Sequence, residues 1–362
     1  EVRFRSGREY VVSDEVILIA SWLEEELVER IRKTAPWAEV IHEPLLLRPP
    51  RYPADHSGEP GERSDADEKR WRSLLARATI LFDFDPSHRD DLPEVAPKVR
   101  WIQATSAGIG PFVRRNGYAD RMPGTVFTTA SGVHARPLAE FAAMAMLAES
   151  RGLRRIRQAQ SQRRWERYAG TDLAGRTVLV VGHGSIGSEV GRIARALGMR
   201  VLGLKRTPQG IDPASLHADE LGGMDRLHDF LPRADVLVLA APHTDETEGM
   251  IGEAEIQALP EGALFVNVGR GSLVDEPALT RALRPPPEGT GHLSAAWLDV
   301  FATEPLPGES PLWGLPNVVV SPHSAATSDR ENDRITDLFC ENLRRDRVGE
   351  PLLNVLDVER LY

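Results

Sequence analysis

Short apolar runs separated by amphipathic stretches set the rhythm of this chain. Val16-Ile17-Leu18-Ile19-Ala20 reads as a buried strand, and the stretch from about Trp22 to Ile31, with Leu23, Leu27 and Val28 on one side, as the helix after it. Ile80-Leu81-Phe82 and Arg100-Trp101-Ile102 are further strand signals. A long helix is expected from about Arg136 to Arg151. The basic, Gln-rich stretch Arg154 to Arg167 has few apolar residues and reads as a solvated connector rather than a nucleic-acid arm. The pattern then restarts, with strands expected at Val178-Leu179-Val180-Val181, Val201-Leu202-Gly203-Leu204, Val236-Leu237-Val238-Leu239, Leu264-Phe265-Val266-Asn267 and Val318-Val319-Val320. Helical patterns fit between most of them, and this alternation predicts α/β architecture with parallel sheets. Arg48 to Asp67, punctuated by Pro49, Pro50, Pro53, Gly58, Pro60 and Gly61, reads as a loop, of a length at which loops tend to be functional or mobile. Pro285 to Gly289 reads as a surface insertion without chemistry, and no short-period repeat is visible.

The length of 362 residues exceeds one ordinary core and suits two domains. A hydrophobic content of 41% with 27% charged residues is that of a globular protein, so disorder is not expected. The net charge of −10 weighs against nucleic acid and against anionic membrane surfaces as partners, since both need a basic face. A local cationic pocket for a small anion is compatible with it. The single cysteine, Cys340, forbids an internal disulfide and suits a cytoplasmic location; within the amphipathic stretch Ile335 to Leu343 it reads as a buried, inert thiol. The N-terminus lacks the apolar run of a signal peptide, and the most apolar helical stretch, Leu138 to Ala148, carries Glu140 and is too short to span a bilayer. The histidines, His134 and His183 included, show no metal-ligand spacing with cysteine or acids, so no metal is expected.

The most informative motif is Gly182-His183-Gly184-Ser185-Ile186-Gly187, a G-x-G-x-x-G placed directly after the strand ending at Val181. It opens a helix whose apolar residues Ile186, Val190, Ile193, Ala194 and Leu197 recur at helical spacing. In that context Gly182 permits a tight turn, Gly184 lets backbone approach a pyrophosphate, and Gly187 lets helix and strand pack closely. The amides of Ser185 and Ile186 at the positive helix end then face the phosphates. An NAD-selective site usually carries an acidic residue about 20 positions past the glycines. Here Lys205-Arg206-Thr207 follows the next strand instead. A guanidinium pairs with a ribose 2′-phosphate where a carboxylate would repel it, so NADP(H) is expected over NAD(H).

Three later stretches each put polar residues after an expected strand, where open α/β sheets bind ligands: Asn267-Val268-Gly269-Arg270-Gly271-Ser272-Leu273-Val274-Asp275, Leu298-Asp299-Val300-Phe301-Ala302-Thr303-Glu304-Pro305, and Ser321-Pro322-His323-Ser324-Ala325-Ala326. With the glycine motif, in this order, they resemble the D-isomer-specific 2-hydroxyacid dehydrogenases, most of all their NADPH-dependent glyoxylate, hydroxypyruvate and related 2-oxo acid reductases. The resemblance covers nearly the whole chain, dense from Leu179 to Ala326 and loose in the first hundred residues.

The resemblance implies roles for matching positions. Arg270 would hold the substrate carboxylate and polarise the carbonyl, a task suited to a permanently charged, planar fork. His323 would exchange a proton with the carbonyl oxygen. Glu304 would pair with His323, orient it and stabilise the imidazolium that reduction needs. Asp299 would bind the nicotinamide carboxamide, and Ala241, Pro242 and Thr247 would line the nicotinamide ribose, with His243 acting from behind them. Val268, Ala325 and His323 itself join the cofactor contacts. In Thr105-Ser106-Ala107-Gly108-Ile109-Gly110 the amides of Ala107 and Gly108 match the loop that binds the substrate carboxylate; where the family usually has an Asp after this glycine, Gly110 stands near that place. The Arg51-Tyr52 region would close over the substrate's tail.

The fold so implied is two Rossmann-like or flavodoxin-like α/β domains flanking an active-site cleft. Residues 1–137 and the return segment 326–362 would form the substrate domain, and 138–325 the NAD(P)-binding domain. A homodimer through the cofactor domain is expected. The chain ends soon after its last expected helix, without an appended regulatory domain, which weighs against a serine-biosynthetic phosphoglycerate dehydrogenase. Two alternatives stand beside the reductase. One is a formate dehydrogenase-like enzyme, disfavoured because that branch pairs its histidine with Gln where this chain has Glu304. The other is a non-catalytic, dinucleotide-sensing corepressor-like protein, which can retain the same triad.

Overall fold

The structure, a computed structural model, describes residues 14–360 and the backbone of residues 2–5 and 8–11. The chain divides into two compact units, residues 1–133 with 327–362, and residues 134–326.

The first unit opens with an antiparallel hairpin, β1 (Val2–Arg5) and β2 (Arg8–Val11). A five-stranded sheet follows, made of β3 (Val16–Ile19), β4 (Glu39–Ile41), β5 (Ile80–Phe82), β6 (Trp101–Gln103) and β7 (Val126–Thr128). All its pairings are parallel, in the order β4-β3-β5-β6-β7, the doubly wound order of flavodoxin-like folds. Ile17, Ile19, Phe82 and Trp101 pack against Leu27, Val28 and Ile31 of the helix Glu25–Thr34 and against Ile335, Phe339 and Leu343 of the helix Glu331–Val348. Leu18, Leu81 and Ile102 face the other way, onto Trp71, Leu74 and Leu75 of the helix Asp65–Leu75. With both faces covered, the strands read as unbroken apolar runs rather than as alternation. Cys340 is buried in the first of these cores, as its surroundings implied.

The second unit holds seven parallel strands: β8 (Thr177–Val181), β9 (Arg200–Leu204), β10 (Glu220–Gly222), β11 (Val236–Leu239), β12 (Ala263–Asn267), β13 (Leu293–Leu298) and β14 (Val318–Val320). Their order is β10-β9-β8-β11-β12-β13-β14, so the winding reverses between β8 and β11. Val178, Val180 and Val266 pack under the helices Ala135–Ser150 and Ser185–Ala196. Leu179, Leu237 and Phe265 pack on the opposite side with Leu279 and Leu283 of the helix Glu276–Leu283. Leu204 pairs with Val181, Val181 with Leu239, Leu239 with Asn267, Asn267 with Leu298, and Leu298 with Val320. Six strands therefore end level, and the segments beginning at Gly182, Lys205, Ala240, Val268, Asp299 and Ser321 leave the sheet along one edge.

Three local readings are corrected. Leu153–Ser161 is a helix where a connector was expected; none of its residues is buried, so no core contact marked it in the pattern. The helix after the Pro-rich loop begins at Asp65, because the hydroxyl of Ser64 accepts the Asp67 amide at 3.2 Å and caps it. The first helix starts at Glu25 rather than near Trp22. The strands β4, β7 and β10, Glu39–Ile41, Val126–Thr128 and Glu220–Gly222, carried no signal, since each mixes a polar residue or glycine into three positions and shows no apolar run. Among the described residues no helix is long and apolar enough to cross a membrane.

Candidate active site

The glycine motif occupies the point where the winding reverses, and two of its glycines are forced by close approach. Gly182 has φ +92°, and a Cβ there would stand 2.3 Å from the Ala241 amide nitrogen, on the neighbouring strand end. A Cβ at Gly187 would stand 2.8 Å from the Gly182 carbonyl oxygen. Gly184 differs: nothing lies within 4 Å of the position its Cβ would take. That open space adjoins the helix Ser185–Ala196, whose N-terminus has no side-chain cap, so its first amides lack an acceptor of their own. An exposed helix N-terminus behind a glycine with free space before it fits a dinucleotide pyrophosphate. His183, between the glycines, is buried; its Nε2–H donates to the Leu216 carbonyl at 2.8 Å, and burial pushes its pKa down, toward the neutral ring. It holds the turn and leaves the phosphate side to backbone.

Lys205 to Thr207 follow β9 at the same edge, Lys205 half-buried and the next two exposed. Beyond β11, Ala241 is buried and Pro242 exposed. The Thr247 hydroxyl donates to the Pro242 carbonyl at 2.8 Å and accepts the Thr244 amide at 2.8 Å, closing this segment into a tight turn. His243 on that turn meets the Ser272 hydroxyl through Nδ1 at 2.8 Å, linking it to the segment after Arg270.

Arg270 leaves β12 on a loop held from both sides. The Asn267 side chain accepts the Gly269 amide at 3.0 Å and donates to the Arg270 carbonyl at 3.0 Å. A Cβ at Gly269 would lie 2.8 Å from the Ala241 carbonyl oxygen, and one at Gly271 1.9 Å from the Phe301 carbonyl. The glycines on either side of the arginine thus let its loop press onto both neighbouring loops. Burial lowers the pKa of Arg270, and the charges of Glu304 and Asp299 oppose that, which places both carboxylates in its electrostatic surroundings.

Glu304 and His323 meet directly, Oε2 to Nδ1 at 2.7 Å, while Glu304 Oε1 accepts the Phe301 amide at 3.0 Å. A carboxylate accepts, so Nδ1 carries the hydrogen and Nε2 is the atom left to exchange a proton. His323 sits at φ +53°, a left-handed backbone unusual outside glycine. Asp299 holds it there. Its buried carboxylate oxygen Oδ1 accepts the Ser321 hydroxyl at 2.6 Å and the Ser324 and Ala325 amides at 2.9 Å each, and its carbonyl accepts the His323 amide at 2.9 Å. Val268, also at this edge, is buried.

Within the second unit the structure therefore brings together Arg270, Glu304, His323 and Asp299 along the edge that carries the glycine turn. Ala107 and Gly108 belong to the first unit, exposed on the turn after β6. Sequence reasoning gave no role to Asn267 or Ser321. A buried asparagine ending an otherwise apolar strand was the available signal for the first; for the second there was none. Among the described residues no group of three or more His, Cys, Asp or Glu side chains could hold a metal ion.

A parallel sheet whose winding reverses at a glycine-rich turn, with an uncapped helix opening from it, defines a dinucleotide-binding α/β domain. The description "D-isomer specific 2-hydroxyacid dehydrogenase, NAD binding domain" belongs to the family model that matches residues 143–325. A glyoxylate reductase of Aeropyrum pernix is 33% identical over 281 residues, covering 74% of this chain and 79% of its own. A D-3-phosphoglycerate dehydrogenase of Archaeoglobus fulgidus is 28% identical over 353 residues, 94% of this chain and 59% of its own. The crystal structure of a D-isomer specific 2-hydroxyacid dehydrogenase from Xanthobacter autotrophicus, in complex with NADPH and MES, superposes with a TM-score of 0.74 at 28% identity, over 96% of this chain and 99% of that one. The chain belongs to the D-isomer specific 2-hydroxyacid dehydrogenase family, and is by class an NAD(P)-dependent oxidoreductase.

Proposed function

We propose that this protein reduces a small 2-oxo acid of the glyoxylate or hydroxypyruvate kind to the D-2-hydroxy acid, with NADPH. The observation that carries the reading is the hydrogen-bonded Glu304–His323 pair at the level strand edge that also bears Arg270 and the Gly184 turn. The Aeropyrum pernix relative, named a glyoxylate reductase, supports the substrate class, and the NADPH complex of the Xanthobacter autotrophicus protein supports the cofactor.

In this reading unit 134–326 holds the dinucleotide, which supplies the hydride. The amides of Ser185 and Ile186 take the pyrophosphate. Lys205, Arg206 and Thr207 take the 2′-phosphate, with no carboxylate at the end of β9 to repel it. Ala241, Pro242, Thr247, Val268 and Ala325 line the nicotinamide half, and Asp299 turns its remaining carboxylate oxygen to the carboxamide. Arg270 holds the acid's carboxylate and polarises the carbonyl, helped by the amides of Ala107 and Gly108. His323 gives its Nε2 proton to the carbonyl oxygen, and Glu304 keeps the ring oriented while it is charged. A second copy of the chain would cover the apolar groove formed by Ala143, Met144, Leu147, Leu153, Ile156 and Ile193.

Steady-state oxidation of NADPH and NADH against glyoxylate, hydroxypyruvate, phosphohydroxypyruvate and pyruvate tests the proposal. The expected result is turnover of the first two acids, with a higher kcat/KM for NADPH than for NADH. His323→Asn is expected to lower kcat by about a hundredfold or more with dinucleotide binding retained. Activity surviving that replacement would remove His323 from its role, and no turnover of any 2-oxo acid would favour a dinucleotide sensor. Preference for phosphohydroxypyruvate would reassign the substrate toward that of the Archaeoglobus fulgidus relative.

A further inference from the structure

The first unit has a strained acidic residue behind the Ala107–Gly108 turn. Asp83, directly after β5, is the residue in question: it has φ +70° and is buried. A left-handed, non-glycine residue of this kind is strained and persists where its surroundings hold it. Here the Asp83 amide donates to the Gln103 carbonyl at 2.8 Å, Oδ1 accepts the Phe84 amide at 2.9 Å, and Oδ2 accepts the Thr105 hydroxyl at 2.9 Å. Burial pushes the Asp83 carboxyl up from the usual carboxylate range, and the His56 imidazole pulls it back.

Thr105 begins the turn. The next carbonyl, that of Ser106, accepts the Ala130 amide at 3.1 Å from the far side. The base of the turn is thus fixed at both flanks. Its tip is exposed, and among the described residues the Gly108 amide meets only the Ser106 hydroxyl, at 3.4 Å. Such a turn has its conformational cost met before an anion arrives, with amides weakly engaged and ready to be exchanged.

We propose that Asp83, through Thr105, is a positioning residue that sets the Ala107 and Gly108 amides to receive the carboxylate of the substrate. The inference rests on reading that turn as a carboxylate-binding loop. Asp83 itself touches no substrate; it orients the segment that does. The Thr105 hydroxyl donates to a buried acceptor that water cannot replace, so losing this hydrogen bond is felt at the turn rather than at the hydride-transfer centre.

The test compares Thr105→Val and Asp83→Asn, the latter chosen because asparagine tolerates the left-handed backbone, with Thr105→Ser and Gly108→Pro. Both disruptive variants are expected to raise KM for glyoxylate about tenfold, leaving kcat and the KM for NADPH unchanged. Thr105→Ser is expected to stay near the parent. If neither disruptive variant moves KM while Gly108→Pro does, the positioning role falls and the loop reading stands. If Gly108→Pro leaves KM unchanged with a native melting temperature, the loop reading falls and takes the inference with it. A fall in kcat and in NADPH affinity together, tracking a lowered melting temperature, would show Asp83 to be structural only.

Discussion

Gly271 shows what one absent side chain does. A Cβ there would meet the backbone of Phe301 and Ala302, which no rotamer change can move. Gly271→Ala must therefore part the Arg270 loop from the one bearing Glu304. A displacement of about 1 Å at such a centre costs about a hundredfold in turnover. The expected outcome is a fall of that order in kcat/KM for the 2-oxo acid with NADPH binding, followed by fluorescence titration, retained; kinetics like the parent's would show that the loops tolerate separation. The sequence marked this glycine by its place beside an arginine. Why glycine is required was not legible, because Phe301 is thirty positions away and meets it only across two strand ends. Asp299 is a similar case: the motif made it a candidate cofactor contact, while its three hydrogen bonds into residues 321–325 appear only when β13 and β14 lie side by side.

At the scale of the element, the Pro-rich loop is less loose than its composition implied. The buried Asp55 accepts Arg51 Nε at 2.7 Å, Arg51 Nη2 at 3.0 Å, the Arg51 amide at 3.1 Å and the Gly58 amide at 3.2 Å. Gly58 turns at φ +64° where a Cβ would lie 2.4 Å from that of Arg48. The Arg51 guanidinium, aided by the backbone amides, pulls the Asp55 carboxyl down to about 2 against the effect of burial. A depressed carboxylate stabilises the fold above its ordinary titration range and loses that contribution as the pH falls toward the folded value. The contribution, with Arg51 half-exposed, is about 1–2 kcal/mol. Asp55→Asn is expected to lower the melting temperature near neutrality and to flatten its further decline between about pH 4 and 2; an acid limb parallel to the parent's would deny the pair that role. Proline and glycine made this segment legible as a loop, but the clip inside it depends on a bidentate geometry that composition cannot express.

For the whole molecule, the exposed apolar face of the second unit carries the prediction. Leu153 and Ile156 are 43% and 42% exposed beside the exposed Met144 and Leu147. Leu153→Glu with Ile156→Glu would place two charges in a surface that a second copy must desolvate. Light scattering is expected to give a dimer for the parent and a monomer for the double variant; a monomeric parent would end the assignment of that face. The pattern alone determined the βα alternation, the parallel sheets, the glycine turn and the order of the polar segments after their strands, because burial on both faces of a sheet writes itself locally as apolar runs and breaks. Tertiary structure decided what no local pattern contains: that Leu204, Val181, Leu239, Asn267, Leu298 and Val320 end level, so that Arg270, Glu304 and His323 share one edge. It also decided that Asp299 clamps the histidine and that Asp83 grips Thr105. Register and hydrogen bonds between strands far apart in sequence set those relations, and they exist only once the sheets have formed.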